Sequence, residues 1–202
     1  MSRYRLFLLI VFLAVWAWSA SNPPSFSYWM LENVPVFIGI ALFILFRRFF
    51  KLSDVSYTLI LLYLFLPLVT FHYGVTGVPF GFTLGEWFGT TKNVYDKLVH
   101  FGFGLLWFYP IEEFLTHIKK EYNFDYYVSF ISILAFSALY EVFEALAAVT
   151  VNPVLAAQFY GAQGDIFDAQ KDMGVATIGA IIAMSVTFFV RKYKKKEVVA
   201  LN

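Results

Sequence analysis

An all-α, polytopic membrane helix bundle of about six transmembrane helices is the fold that this sequence predicts, on three observations. The 202-residue chain is 60% hydrophobic and only 14% charged, where a soluble domain is nearer half apolar and roughly a quarter charged. Six stretches reach, or nearly reach, the roughly 17–25 mostly apolar residues that a helix needs to cross a bilayer. The Lys and Arg residues fall on alternate connections between those stretches. A bundle of this length leaves no room for a second one, so residues 1–202 are expected to form a single integral membrane domain.

The expected spans run approximately over 4–20, 33–50, 55–73, 97–117, 127–149 and 172–190. The first has Arg3 and Arg5 before it and the small Ala17 and Ser19 near its end, a pattern shared with signal peptides. Trp16 and Trp18 suit an interfacial belt better than a cleavage site, so it is read as a retained anchor. The fourth span holds Pro110, where a kink is expected. The sixth runs into a basic tail suited to lipid headgroups. There is no cysteine, which excludes disulfides, thiolate nucleophiles and Cys-ligated zinc. Membrane lipids are the expected surroundings, and no nucleic-acid partner is expected.

Charge orients the spans. Arg3, Arg5, Arg47, Arg48, Lys51, Lys119, Lys120, Arg191, Lys192, Lys194, Lys195 and Lys196 would lie on one face, and Lys92, Lys97 and Lys171 on the other. Cytoplasmic loops carry the excess of basic residues. Both termini are therefore expected in the cytoplasm of a multi-pass cell (inner) membrane protein. The outward face then receives Glu32, Glu86, Asp96, Glu141, Glu144, Asp165, Asp168 and Asp172. Ionisable groups in or near hydrocarbon are costly and mark functional sites.

Asp96 and His100 are four residues apart and share a helix face. Asp96 also stands where a carboxylate caps free amides at a helix start, which is its plain structural reading. His100 lies a full turn into the apolar segment, and Gly102 and Gly104 after it permit close approach of another helix. Glu141 and Glu144 would lie about 21 and about 26 Å across a ~30 Å core. There they must be paired, neutral or bound to a cation. Lys97 is the plain structural partner. Asp165, Asp168 and Asp172 are spaced 0, 3 and 7, one helix stripe of like charges that needs a cation to relieve it. Gln163 and Gln170 belong to the same run. His72 closes the third span on the same side.

These residues make an outward-facing carboxylate–histidine site. His100, Glu141, Asp96 and Lys97 are the expected catalytic groups. His72, Glu144, Gln163, Asp165, Asp168, Gln170 and Asp172 are the expected metal- or substrate-binding groups. Imidazole and carboxylate without sulfur suit zinc, manganese or iron, so a divalent metal ion is the cofactor such a set would take. No HExxH motif is present. Glu112, Glu113 and His117 fall near the opposite end of the fourth span and read as interfacial helix-end charges.

Several separated motifs carry a family resemblance. They are His72-Tyr73-Gly74-Val75-Thr76-Gly77-Val78-Pro79-Phe80-Gly81, Asn93-x-Tyr95-Asp96-Lys97-Leu98-Val99-His100-Phe101, Ser137-Ala138-x-Tyr140-Glu141, and Gly161-x-Gln163-Gly164-Asp165-x-x-Asp168-x-Gln170-x-Asp172-Met173. Together, over about 55–190, the chain resembles the YjdF-type family of uncharacterised bacterial inner membrane proteins. That family has Trp at the position of Phe167 and commonly at that of Ala145; neither change removes an ionisable group. The shorter Asp96-Lys97-x-x-His100 and Asp165-x-x-Asp168 patterns are similar to the VanZ-like family, associated with glycopeptide-antibiotic resistance. The resemblance supports the topology and the site and leaves the reaction open.

Three functions are compatible with the residues. The first is a metal-dependent hydrolase or transferase acting on a lipid or lipid-linked substrate, with Glu141 or His100 as general base. The second is an ion- or proton-coupled transporter, although no inverted repeat is visible. The third is a non-enzymatic binding or scaffold protein of the cell envelope, recruiting a cationic ligand or a lipid headgroup. The outer ends of spans three to six are expected to meet, with spans one and two to the side.

Overall fold

Short polar residues at the margins of the apolar stretches set where helices begin. In the computed structural model, which describes residues 2–46, 52–118, 124–159 and 163–200, Ser2 accepts from the Arg5 amide to open α1 (Arg3–Ser19). Ser25 caps α2 (Phe26–Glu32), and α3 (Val34–Phe46) follows after one residue. Ser53 caps α4 (Asp54–Tyr73) and Pro79 opens α5 (Pro79–Trp87). Then come α6 (Tyr95–Ile118), α7 (Phe124–Thr150), α8 (Pro153–Phe159) and α9 (Asp168–Ala200). No strand occurs among the described residues.

Among the described residues, four segments are long and apolar enough to cross a membrane: Phe26–Leu45, Asp54–Tyr73, Phe124–Thr150 and Asp168–Tyr193. Of the six expected spans, two are not among these four: 4–20 is α1, 17 residues long, and 97–117 is α6, whose ends carry Asp96, Lys97, Glu112 and Glu113. The expected 33–50 span begins earlier, at Phe26, because Asn33 joins α2 to α3 instead of starting a helix. Its amide donates to the Trp29 carbonyl at 2.7 Å and its oxygen accepts from Trp16 Nε1 at 2.7 Å. The far end of that expectation, 47–50, lies outside the described residues.

Contacts at the two ends of the bundle give each helix a direction. Arg5 Nε meets Asp54 at 2.7 Å while Trp18 stacks on His72, so α1 and α4 run side by side in the same sense. Ser53 and Ser56 bond Glu113, so α6 returns against α4. Lys97 meets Asp172 and Glu112 meets Arg191, so α6 and α9 are parallel. Asp125 joins Arg191 at the start of α7, which therefore runs against both.

The α6–α9 pairing is the most extensive in the molecule. Apolar surfaces gain little by meeting inside lipid, so helix association there depends on close packing through small residues. A Cβ on Gly104 would lie 1.9 Å from the Ala176 carbonyl oxygen, and one on Gly179 would lie 2.3 Å from that of Phe101. The two backbones touch where both side chains are hydrogen. Below this contact Phe108, Ile133, Ala180 and Ala183 form a buried apolar layer between α6, α7 and α9. A second core, Trp29, Leu68 and Phe71 against Phe12, Val15 and Val36, joins α1, α2, α3 and α4.

Candidate functional site

The site is built where α6 and α9 begin and α7 nears its end. Asp96 stands in the first turn of α6, and His100, 5% exposed, lies one turn deeper. His100 Nε2 is 3.7 Å from Asp96 Oδ1 and 3.5 Å from Glu141 Oε1 of α7. Neither separation is a good hydrogen bond. Asp172, 1% exposed, faces them from α9. Its Oδ2 accepts from Lys97 Nζ at 2.7 Å, and the same ammonium donates to Asp168 Oδ1 at 2.5 Å. Asp96, His100 and Asp172 each offer one ligand atom, and the three atoms lie within 4.8 Å of one another.

Three buried atoms here have no hydrogen-bonding partner among the described residues: His100 Nε2, Glu141 Oε1 and Asp172 Oδ1. Buried polar atoms are nearly always paired, so three together need an explanation. Five carboxylates, Asp96, Glu141, Glu144, Asp168 and Asp172, share the space with one lysine, and Glu144 is also buried. The donor set is one imidazole nitrogen with carboxylate oxygens. It fits a divalent cation by chemistry and by these spare atoms.

The remaining expected residues are not brought into this group. His72 closes α4 beside Trp18, ring centroids 4.3 Å apart, and meets Tyr73 edge-on, while its Nδ1 is buried without a hydrogen-bonding partner among the described residues. It is not part of the Asp96–His100–Asp172 ligand group. Gln163 adopts a positive φ of 49° and uses both ends of its amide on the Asn93 backbone, accepting at 3.1 Å and donating at 2.7 Å. It ties the loop before α9 to the loop before α6. Asp165 is not on the α9 stripe, because the helix begins at Asp168. Its carboxylate instead accepts from the Phe167 amide and pairs with Lys171, whose hydrogen bond holds that carboxyl below the ordinary aspartate value. Gln170 is exposed.

Other residues enter unforeseen. Glu32 is 5% exposed at the end of α2, with Tyr28 and Asp96 as electrostatic neighbours, while the Tyr28 hydroxyl donates to the Thr70 carbonyl at 3.2 Å. Span two therefore adds an acid beside the site. Tyr140 sets its ring edge-on to His100 at 5.6 Å, near Glu32, Glu144 and Asp96. Ser137, one turn before Glu141, is 1% exposed and its hydroxyl has no partner, whereas Ser129 and Ser132 on the same helix return theirs to the carbonyl four residues back. Glu32 was legible as an acid at the depth of Glu144, four residues after a tyrosine. Ser137 and Tyr140 stood in the motif that carries the family resemblance, without a role assigned to either.

The opposite end holds a second polar group. Arg191 donates to Glu112 Oε2 at 2.6 Å and Asp125 Oδ2 at 3.2 Å, and Thr116 donates to Asp125 at 2.9 Å. Glu113 accepts from the Ser53 amide and from the Ser53 and Ser56 hydroxyls. Glu112 is fully buried, so the interfacial reading of these acids is corrected for that residue: it is an interhelical tie, neutralised by Arg191.

The motif resemblance has a direct counterpart in comparisons with known proteins. A family model described as "Predicted membrane protein (DUF2238)" matches residues 4–193. The chain is 36% identical over 156 residues to the inner membrane protein YjdF of Escherichia coli (strain K12), covering 76% of this chain and 74% of that protein. No solved structure matches. With nearly the whole chain matched, the protein belongs to the YjdF-like DUF2238 family of membrane proteins.

Proposed function

We propose that the protein is a membrane-embedded, metal-dependent hydrolase or transferase acting on a lipid or lipid-linked substrate at the outward face of the inner membrane. The observation that carries this reading is the set of spare buried atoms, His100 Nε2, Glu141 Oε1 and Asp172 Oδ1, beside the Asp96–His100–Asp172 ligand group. Asp96, His100 and Asp172 would hold the cation. Glu141, 3.5 Å from the imidazole, is the carboxylate placed to accept a proton from the attacking nucleophile. A divalent ion bound there would supply Lewis acidity for a hydrolytic or transfer step.

Supporting the topology, six helical runs alternate in direction between the two ends: α1, α2 with α3, α4, α6, α7 and α9. Arg5 and Arg191 lie at one end of the bundle, with Asp54, Glu112 and Glu113, and the positive-inside rule favours that end as the cytoplasmic one. The matched relative is itself an inner membrane protein. A transporter is the weaker reading, because the apolar Phe108–Ile133–Ala180–Ala183 layer lies between the two polar groups.

The test is metal analysis of detergent-purified protein, paired with turnover of phospholipid and polyprenyl-phosphate substrates in mixed micelles. A bound divalent ion is expected in the wild type, lost in His100→Ala together with turnover. A metal-free wild type whose turnover survives His100→Ala would overturn the reading.

A further inference from the structure

Lys97 stands oddly for a catalytic lysine. Its ammonium is held by two carboxylates, Asp168 at 2.5 Å and Asp172 at 2.7 Å, with Asp96 close enough to act on it electrostatically. A free base or an anion-binding group would not be so fully engaged. Asp172 is the shared residue: Oδ2 faces Lys97, and Oδ1 is the spare oxygen of the ligand group. This is the arrangement of a carboxylate bridging two cations, one of them a tethered ammonium.

We infer that the Lys97 ammonium fills the second of two adjacent cation positions, so that the centre takes one divalent ion and is barred from taking two. The inference rests on the metal reading above and assigns its stoichiometry. Two-metal hydrolytic centres hold their ions roughly 3.5–4 Å apart across shared carboxylates. Here Asp168 and Asp172 would serve the second ion, and the lysine occupies that place permanently. The ammonium also fixes the plane of the Asp172 carboxylate by holding Oδ2, while Oδ1 has no hydrogen-bonding partner among the described residues. Lys97 is thus a positioning residue. Its side chain is 24% exposed and reaches the acids from their edge, whereas the Asp172 side chain is 2% exposed.

The test titrates the full-length protein in detergent with Mn2+, reading stoichiometry by equilibrium dialysis and metal analysis, and ion pairing by electron paramagnetic resonance. The wild type and Lys97→Arg are expected to bind a single ion. Lys97→Met is expected to bind two, with the broadened, exchange-coupled signal of neighbouring Mn2+ ions. Lys97→Met binding a single uncoupled ion, like the wild type, would overturn the inference and leave the metal reading standing. A wild type that binds none while Lys97→Met binds one would overturn the one-ion stoichiometry together with the metal reading. No binding to either would overturn both. Asp168→Asn guards against a Lys97 variant that does not fold. It is expected to keep the single ion, because Asp168 serves only the ammonium position; loss of that ion would place Asp168 in the occupied site and refute the assignment.

Discussion

At one end of α6, α7 and α9, Arg191 is shared by Glu112 and Asp125, Thr116 adds a hydroxyl, and Glu113 takes three donors from the start of α4. At the other end five carboxylates meet one lysine, and three buried atoms are left unpaired. The same three helices therefore host one polar group that is closed and one that is open. A closed group buries charge against charge and locks helices together. An open group keeps buried carboxylates at a cost that the protein itself does not offset, which is the mark of a place where something else binds. The acids were equally visible at both ends; their partners separate the roles.

The largest expected effect breaks the closed end. Arg191→Met leaves Glu112 and Asp125 without their cation. Removing one partner of a buried pair costs about 3–5 kcal/mol, and the 39% exposure of the arginine side chain favours the lower figure. Melting of the detergent-solubilised protein should show a large loss, partly recovered by adding Glu112→Gln. A variant as stable as the wild type would mean the closed group is not a lock.

Next in size is Gly104→Val, which pushes a branched side chain into the Ala176 carbonyl. Overpacking costs about 1–3 kcal/mol. Because α6 and α9 carry residues of both groups, this variant should lower the melting temperature and weaken Mn2+ binding together. Loss of one without the other would show that the ends are independent.

Smallest in stability is Glu141→Gln at the open end. It replaces a carboxylate whose Oε1 has no partner, so the melting temperature should change little or rise, a difference within about 1 kcal/mol. Turnover should nonetheless be lost while the metal stays. A destabilisation as large as that of Arg191→Met would make Glu141 a structural acid.

Much of this contrast was legible in the sequence. Hydropathy and the basic residues marked the helical stretches, and the four-residue spacing of Asp96 and His100 put them on one face. Depth placed Glu141 and Glu144 near them. Spacing failed at Asp165, because the helix begins three residues later, at Asp168. His72 was placed by its position at the end of span three, and the sequence could not show that its ring stacks on Trp18. The role of Gln163 was illegible because both ends of its amide are spent on the backbone of a residue 70 positions away. Glu32 was counted among the outward-facing acids but left out of the site, its span being read as beginning at residue 33, where an asparagine joins two helices.

The contact at Gly104 and Gly179 has a mechanical consequence. From Lys97 to Glu112 is 112 − 97 = 15 residues, and from Asp172 to Arg191 is 191 − 172 = 19, so the tied lengths are about 22 and about 28 Å. Backbones pressed together midway leave neither rod free to slide past the other without tearing a tie at both tips. The pair behaves as a stiff strut, and a strut holds the spacing of whatever is mounted on its ends. Here that spacing includes the gap between His100 and Asp172, on which the fit of a small ion depends.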